Sequence, residues 1–72
     1  IERQEGRHRL LTLYDFVPGL RFKDEEKAAA ILMAMNLDEL GDLFHSGLTE
    51  EEALEHLRRA AKKYKLVEPK VK

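Results

Sequence analysis

Eight consecutive apolar residues, Ala28 to Met35, sit in the middle of a chain of only 72. Read at helical periodicity, Ala28, Ile31, Leu32 and Met35 form one stripe, and Ala29, Ala30 and Met33 form a second on the opposite side. A helix that is apolar all round has to be covered all round. A chain this short has few other segments to cover it. At this length only about 60 % of the unfolded chain's surface can be buried, and one such core rarely supplies more than roughly 3–5 kcal/mol. Small domains therefore add a staple. With no cysteine, disulfides and thiolate metal sites are excluded, which leaves a protein partner or a second copy. Ala29 and Met33 on the second stripe are the candidate interface residues: alanine permits close helix approach, and methionine adapts to varied partners.

The segments around this run are also helical in pattern. Thr49 followed by Glu52 is a T-x-x-E capping box, with Leu48 and Ala53 at the staple positions around it. Ala53, Leu54, Leu57, Ala60, Ala61 and Tyr64 then fall on one stripe, and the spacing predicts a helix over 50–65. Its three leading glutamates and its trailing lysines both complement the macrodipole, and Glu55 and Arg59 form an i, i+4 pair. Asp24 can cap a helix running through Met35. Asn36 with Glu39 is a second capping box for a short helix over 37–45, in which Leu37, Leu40, Leu43 and Phe44 share a face. Ser46-Gly47 ends it, with Gly47 suited to a left-handed conformation. Whether 24–45 is bent or continuous at Asn36 stays open at this point.

The N-terminal third carries two patterns. Leu10, Leu13, Tyr14 and Val17 match the helical template, whereas 11–16 also holds β-favouring residues between polar ones. Pro18 stops any helix by about Phe16. Pro18-Gly19 suits the centre of a type II turn. The expected fold is all-α: one domain of three or four short helices with frayed ends at 1–6 and 68–72. The alternative is α+β, with a short strand at about 10–16. Leu13, Leu32, Leu40, Leu54 and Leu57 are the expected core.

Charge is sorted along the chain. Residues 1–23 carry a net +2, residues 24–56 a net −9 and residues 57–72 a net +6. A nucleic-acid face could be assembled from Arg7 and Arg9 on the N-terminal arm with Lys62, Lys63 and Lys65 on the last helix. The passage from Leu37 to Ala60 has the outline of a helix-turn-helix. Against that, a recognition helix presents its N-terminal residues to the bases, and here those are Glu50, Glu51 and Glu52. Cations at a helix C-terminus also need no ligand to explain them.

Catalysis and metal binding find little support. Glu52 and His56 lie one turn apart, but beside Arg59 and Lys63 on the polar face, and HExxH spacing is missing. Ser46 is the one serine and has no G-x-S-x-G elbow, with His45 merely adjacent. The glycines are isolated and build no phosphate loop. No catalytic residue, cofactor, metal or small-molecule substrate is expected. No apolar run approaches the 18 or so residues of a membrane span, and the cysteine-free composition fits the cytoplasm. The chain begins at Ile1, not Met, which leaves room for an upstream segment. The expected function is a non-enzymatic, self-associating protein-interaction module, a small regulatory or accessory subunit. The alternative is a small nucleic-acid-binding transcriptional regulator.

Overall fold

Helix wins over strand in the N-terminal third because burial there follows the helical period. Leu11 and Leu13 would share a face in a strand, yet Leu13 is fully buried and Leu11 is 50 % exposed. The computed structural model describes residues 2–44 and 47–71. Among these the regular structure is α1 (Glu2–Phe16), α2 (Glu25–Ala34), α3 (Leu37–Leu43) and α4 (Glu50–Tyr64), an all-α domain. The strand alternative at 10–16 is thereby corrected. Residues 2–6, expected as part of a frayed end, belong to α1, and Gly6 among them is buried.

Helix α1 ends at Phe16, as Pro18 requires, and Leu20 N–H donates to Val17 O at 3.0 Å to close the turn. That turn is not type II, because Gly19 is absent from the positive-φ residues, which among those described are Gly47 (φ 80) and Lys65 (φ 58). A Cβ at Gly19 would meet only the carboxylate end of the exposed Glu50 side chain, which can swing aside, so the start of α4 lies near this turn without requiring glycine in it. Phe22 follows, fully buried. Its N–H donates to the Tyr14 hydroxyl at 3.2 Å, and that hydroxyl donates to Glu25 Oε2 at 2.9 Å. Burial, helped by the Glu25 carboxylate, pushes the Tyr14 phenol above its ordinary pKa.

Asp24 stands at the N-cap of α2 but makes no side-chain cap bond; its carbonyl accepts from Lys27 and Ala28 N–H instead. The chain breaks at Asn36: Met35 is extended (ψ 139), and the Asn36–Glu39 capping box is fully formed at 2.8 and 3.1 Å. Helix α3 buries Leu40 and Leu43, while Leu37 at its first position is left 80 % exposed, outside the face expected for it. His45 and Ser46 lie outside the described residues. Gly47 takes the left-handed conformation that its sequence context predicts.

The Thr49–Glu52 capping box opens α4 at 3.1 and 3.2 Å, with Leu48 and Ala53 both buried beside it. The helix closes on a Schellman pattern. Leu66 N–H donates to Ala61 O and Lys65 N–H to Lys62 O, with Lys65 itself left-handed where glycine is usual. The C-terminal segment then runs back along the turn after α1. Lys23 N–H donates to Lys70 O at 2.7 Å, and Phe22 and Val71 form an antiparallel bridge. Residues 68–71, expected as a frayed end, thus include a backbone-paired stretch.

Helix α2 occupies the centre, packed by α1 on one side and by α4 on the other. Ala28, Ile31, Leu32 and Met35 face a core that includes Leu13, Leu40 and Leu57, all buried as expected, with Leu54 partly buried against it. Phe16 stacks on Phe44 at 5.9 Å and ties the end of α1 to the end of α3. No helix among the described residues is long and apolar enough to cross a membrane.

Candidate functional site

The second apolar stripe of α2 meets the first half of α1. Gly6 makes this possible, since it continues the α1 stripe of Leu10, Leu13 and Val17 at helical spacing. A Cβ at Gly6 would stand 2.8 Å from Met33 Cγ, 3.0 Å from Ala29 O and 3.3 Å from Ala29 Cβ. The two helices therefore touch backbone to side chain at that point. Glycine costs a helix interior about 1 kcal/mol relative to alanine, and here it is retained where only a hydrogen fits.

A groove of about 550 Å³ opens beside this contact. Leu10, Ala29 and Met33 form its apolar floor with Gly6; Arg7 stands on the α1 wall, and Glu26 and Ala30 stand on the α2 wall, with Glu25 at one end. Ala29 and Met33, the predicted interface residues, are brought together here. Both are half-buried by α1, and Ala30 remains exposed. Leu11, one helical turn beyond Arg7, is exposed on the same side of α1. Arg7 and Glu26 are both exposed, and neither has an ion-pair partner among the described residues. The sequence reading missed Gly6 and Leu10. A small residue at helical spacing from Leu10 and Leu13 was the available signal.

Arg9 is tied into the fold. Its guanidinium donates to Leu32 O at 2.7 Å and Met33 O at 3.5 Å, and its Nε donates to Glu5 at 3.3 Å. These carbonyls belong to the last turn of α2, so Arg9 caps that helix from its neighbour and meets the negative end of its dipole. Only 20 % of its side chain is exposed.

The basic residues of α4 divide in the same way. Lys63 lies 3.5 Å from Glu39 Oε2 and 5.2 Å from the Tyr64 ring centre. The Tyr64 hydroxyl donates to Glu39. That hydroxyl, the Asn36 N–H and the Lys63 ammonium hold the Glu39 carboxyl below the usual glutamate range, and the bond to Glu39 raises the Tyr64 phenol. Lys62 and Lys65 are exposed, as is Arg58, and none of the three has a side-chain hydrogen-bond or ion-pair partner among the described residues. The predicted nucleic-acid residues thus fall into two sets: Arg7 flanks the α1–α2 groove, while Lys62 stands on α4 and Lys65 just past its end. Arg9 and Lys63 have partners within the chain.

His56 lines a smaller recess of about 220 Å³ between α3 and α4, among Glu39, Asp42, Arg59 and Lys63. Mixed charge of this kind is the exposed meeting line of two polar helix faces. No group of three or more His, Cys, Asp or Glu among the described residues could hold a metal ion. No protein-family model matches the chain, and no curated protein or solved structure shows significant similarity to it.

Proposed function

We propose that the chain is a non-enzymatic protein-interaction module, a small cytoplasmic regulatory or accessory subunit that self-associates through the α1–α2 groove. The observation that carries this reading is the groove's make-up: an apolar floor with Ala30 uncovered on its wall, and Leu11 exposed on α1 one turn beyond Arg7. A core of this size gives limited stability by itself, and burying that floor adds roughly 25 cal/mol for each Å² of apolar surface removed from water. The remaining polar groups are in keeping with a structural role. No side-chain nitrogen or oxygen among the described residues is buried without a partner, and the shifted groups at Tyr14, Glu39 and Tyr64 belong to contacts that hold helices together.

Sedimentation equilibrium tests the proposal. The wild type should move with concentration from the 8.4 kDa of one chain toward twice that mass. Ala30→Asp places a charge on an exposed helical position and should keep the monomer mass at the same concentrations. Two identical compact monomers would overturn the reading.

Nucleic-acid binding is the second reading, favoured by Arg58 and Lys62, exposed one turn apart on α4, with Lys65 exposed just past its end. It ranks second because Arg9 and Lys63 are engaged within the fold and the first turn of α4 is acidic. Phosphate neutralisation makes affinity fall steeply with salt. Titration with random-sequence duplex at two salt concentrations tests this, and no binding at the lower one ends it.

A further inference from the structure

We infer that the groove is closed by a second copy in a two-fold pairing that lays α1 of each copy over α2 of the other, with Arg7 meeting the partner's acidic wall at Glu26. The inference rests on the reading of the α1–α2 face as the docking surface and adds what fills it. Two features of the groove lead to it. The first is charge: one wall is basic at Arg7, the other acidic at Glu26, and neither charge is spent on an ion pair among the described residues. A two-fold interface places the same patch on both copies, so the patch has to complement itself. A surface with one sign on each wall does so when the walls are exchanged, and it then makes two equivalent Arg7–Glu26 contacts. An arginine stem reaches about one helical turn, which lets the guanidinium find its carboxylate across crossed helices. Glu25 contributes less, because its carboxylate already accepts the Tyr14 hydroxyl.

The second feature is the apolar surface between those charges. Leu11 is 50 % exposed one turn from Arg7 on α1, and Ala30 is exposed one turn from Glu26 on α2. Because α1 and α2 run antiparallel, with Gly6 opposite Ala29 and Met33, exchanging the walls lays the Arg7 stem across the partner's Ala30, one turn from the partner's Glu26. A stable interface covers about 800 Å² per copy, about a sixth of this chain's 5039 Å². The groove's own lining exposes only a fraction of that, so the pairing has to extend over the neighbouring exposed faces of α1 and α2, with an apolar centre and a charged rim, as in protein interfaces generally.

Charge exchange tests the pairing. Arg7→Glu alone sets like charges together at both symmetric contacts, as does Glu26→Arg alone, and each should weaken the homodimer by about tenfold or more. The double variant Arg7→Glu/Glu26→Arg should dimerise again. Mixing the two single variants is the sharpest case. One partner then presents glutamate at both positions and the other arginine at both, so the mixture should form a heterodimer in preference to either homodimer. Sedimentation and native mass spectrometry read the populations, with circular dichroism confirming that each variant remains helical. If the single variants dimerise as the wild type does and mix statistically, the pairing is wrong. The docking surface then stands, provided Ala30→Asp is still monomeric. A monomeric wild type, or an Ala30→Asp variant that still dimerises, overturns the surface and the pairing together.

Discussion

Gly6 and Gly41 should respond to the same substitution with opposite signs. Both lie within helices, and Gly→Ala in a helix interior gains about 0.5–1 kcal/mol from backbone entropy and propensity. At Gly41 in α3 an added Cβ meets nothing within 4 Å, so the gain should appear in full. At Gly6 the same Cβ lies 2.8 Å from Met33 Cγ and 3.0 Å from Ala29 O. Carbon atoms settle at about 3.5–4.0 Å from each other. Met33 must therefore withdraw by roughly 0.7 Å or more to reach such a contact distance. Its side chain can swing aside, but the Ala29 carbonyl is fixed in the α2 ladder, so α1 itself has to move outward. Overpacking of this kind costs about 1–3 kcal/mol, which exceeds the propensity gain. Gly6→Ala should therefore be destabilising by about 1 kcal/mol, which for a chain this size lowers Tm by roughly 4–8 °C. Gly41→Ala should raise Tm by a few degrees. Thermal and urea melts of the two variants side by side read the difference. In the double variant Gly6→Ala/Met33→Ala the Met33 part of the clash disappears, so its cost should be less than the sum of the single costs. A Gly6→Ala protein that melts as high as Gly41→Ala would refute the close α1–α2 approach on which the groove depends.

Two further expectations concern residues whose charge is used inside the fold. Arg9→Met keeps the aliphatic stem but leaves the Leu32 and Met33 carbonyls without their donor; the loss should be about 1–2 kcal/mol. Arg9→Lys should restore only part of this, since an ammonium lacks the planar fork, and an Arg9→Met melt at the wild-type temperature would remove Arg9 from the cap. Glu39 has its folded pKa depressed by Tyr64, Asn36 and Lys63. Its contribution is therefore complete above the ordinary glutamate pKa and is lost as pH falls through the folded value. The Tm gap between wild type and Glu39→Gln should accordingly be widest near neutrality and close in acid; a gap independent of pH would contradict the Glu39 contacts.

Local chemistry explains which parts of this fold could be read from the sequence. The Thr49–Glu52 and Asn36–Glu39 boxes are short-range devices whose partners lie three residues apart, so the sequence contains everything that forms them. Both are in place, and the second settles the break after Met35. The extent of α4 was legible too, expected over 50–65 and found at Glu50–Tyr64; only the manner of its closing was not, because Lys65 adopts a left-handed conformation that sequence rules reserve for glycine. The Pro18-Gly19 pair misled for a related reason. The dipeptide suggested a positive φ at Gly19, and the turn is made without one, closed by the Leu20 N–H bond to Val17 O.

The groove shows the same division at the level of the site. That α2 needs cover on two faces followed from its composition; what covers the second face did not, because Gly6 fell within an end expected to be frayed. Gly6 weakens α1 as an isolated helix and strengthens it as a neighbour of α2. Its value becomes visible only once Ala29 and Met33 are known to lie opposite. Arg9 is the electrostatic counterpart. Beside Arg7 in sequence it reads as one more cation on a basic arm, yet helical geometry turns the two apart. Arg9 caps the α2 carbonyls while Arg7 stands on the groove wall. An arm of like charges thus divides into one residue that holds the two helices together and one left with its charge uncommitted. That uncommitted charge, opposite a carboxylate in the same state on the far wall, makes the groove a surface suited to meet its own copy.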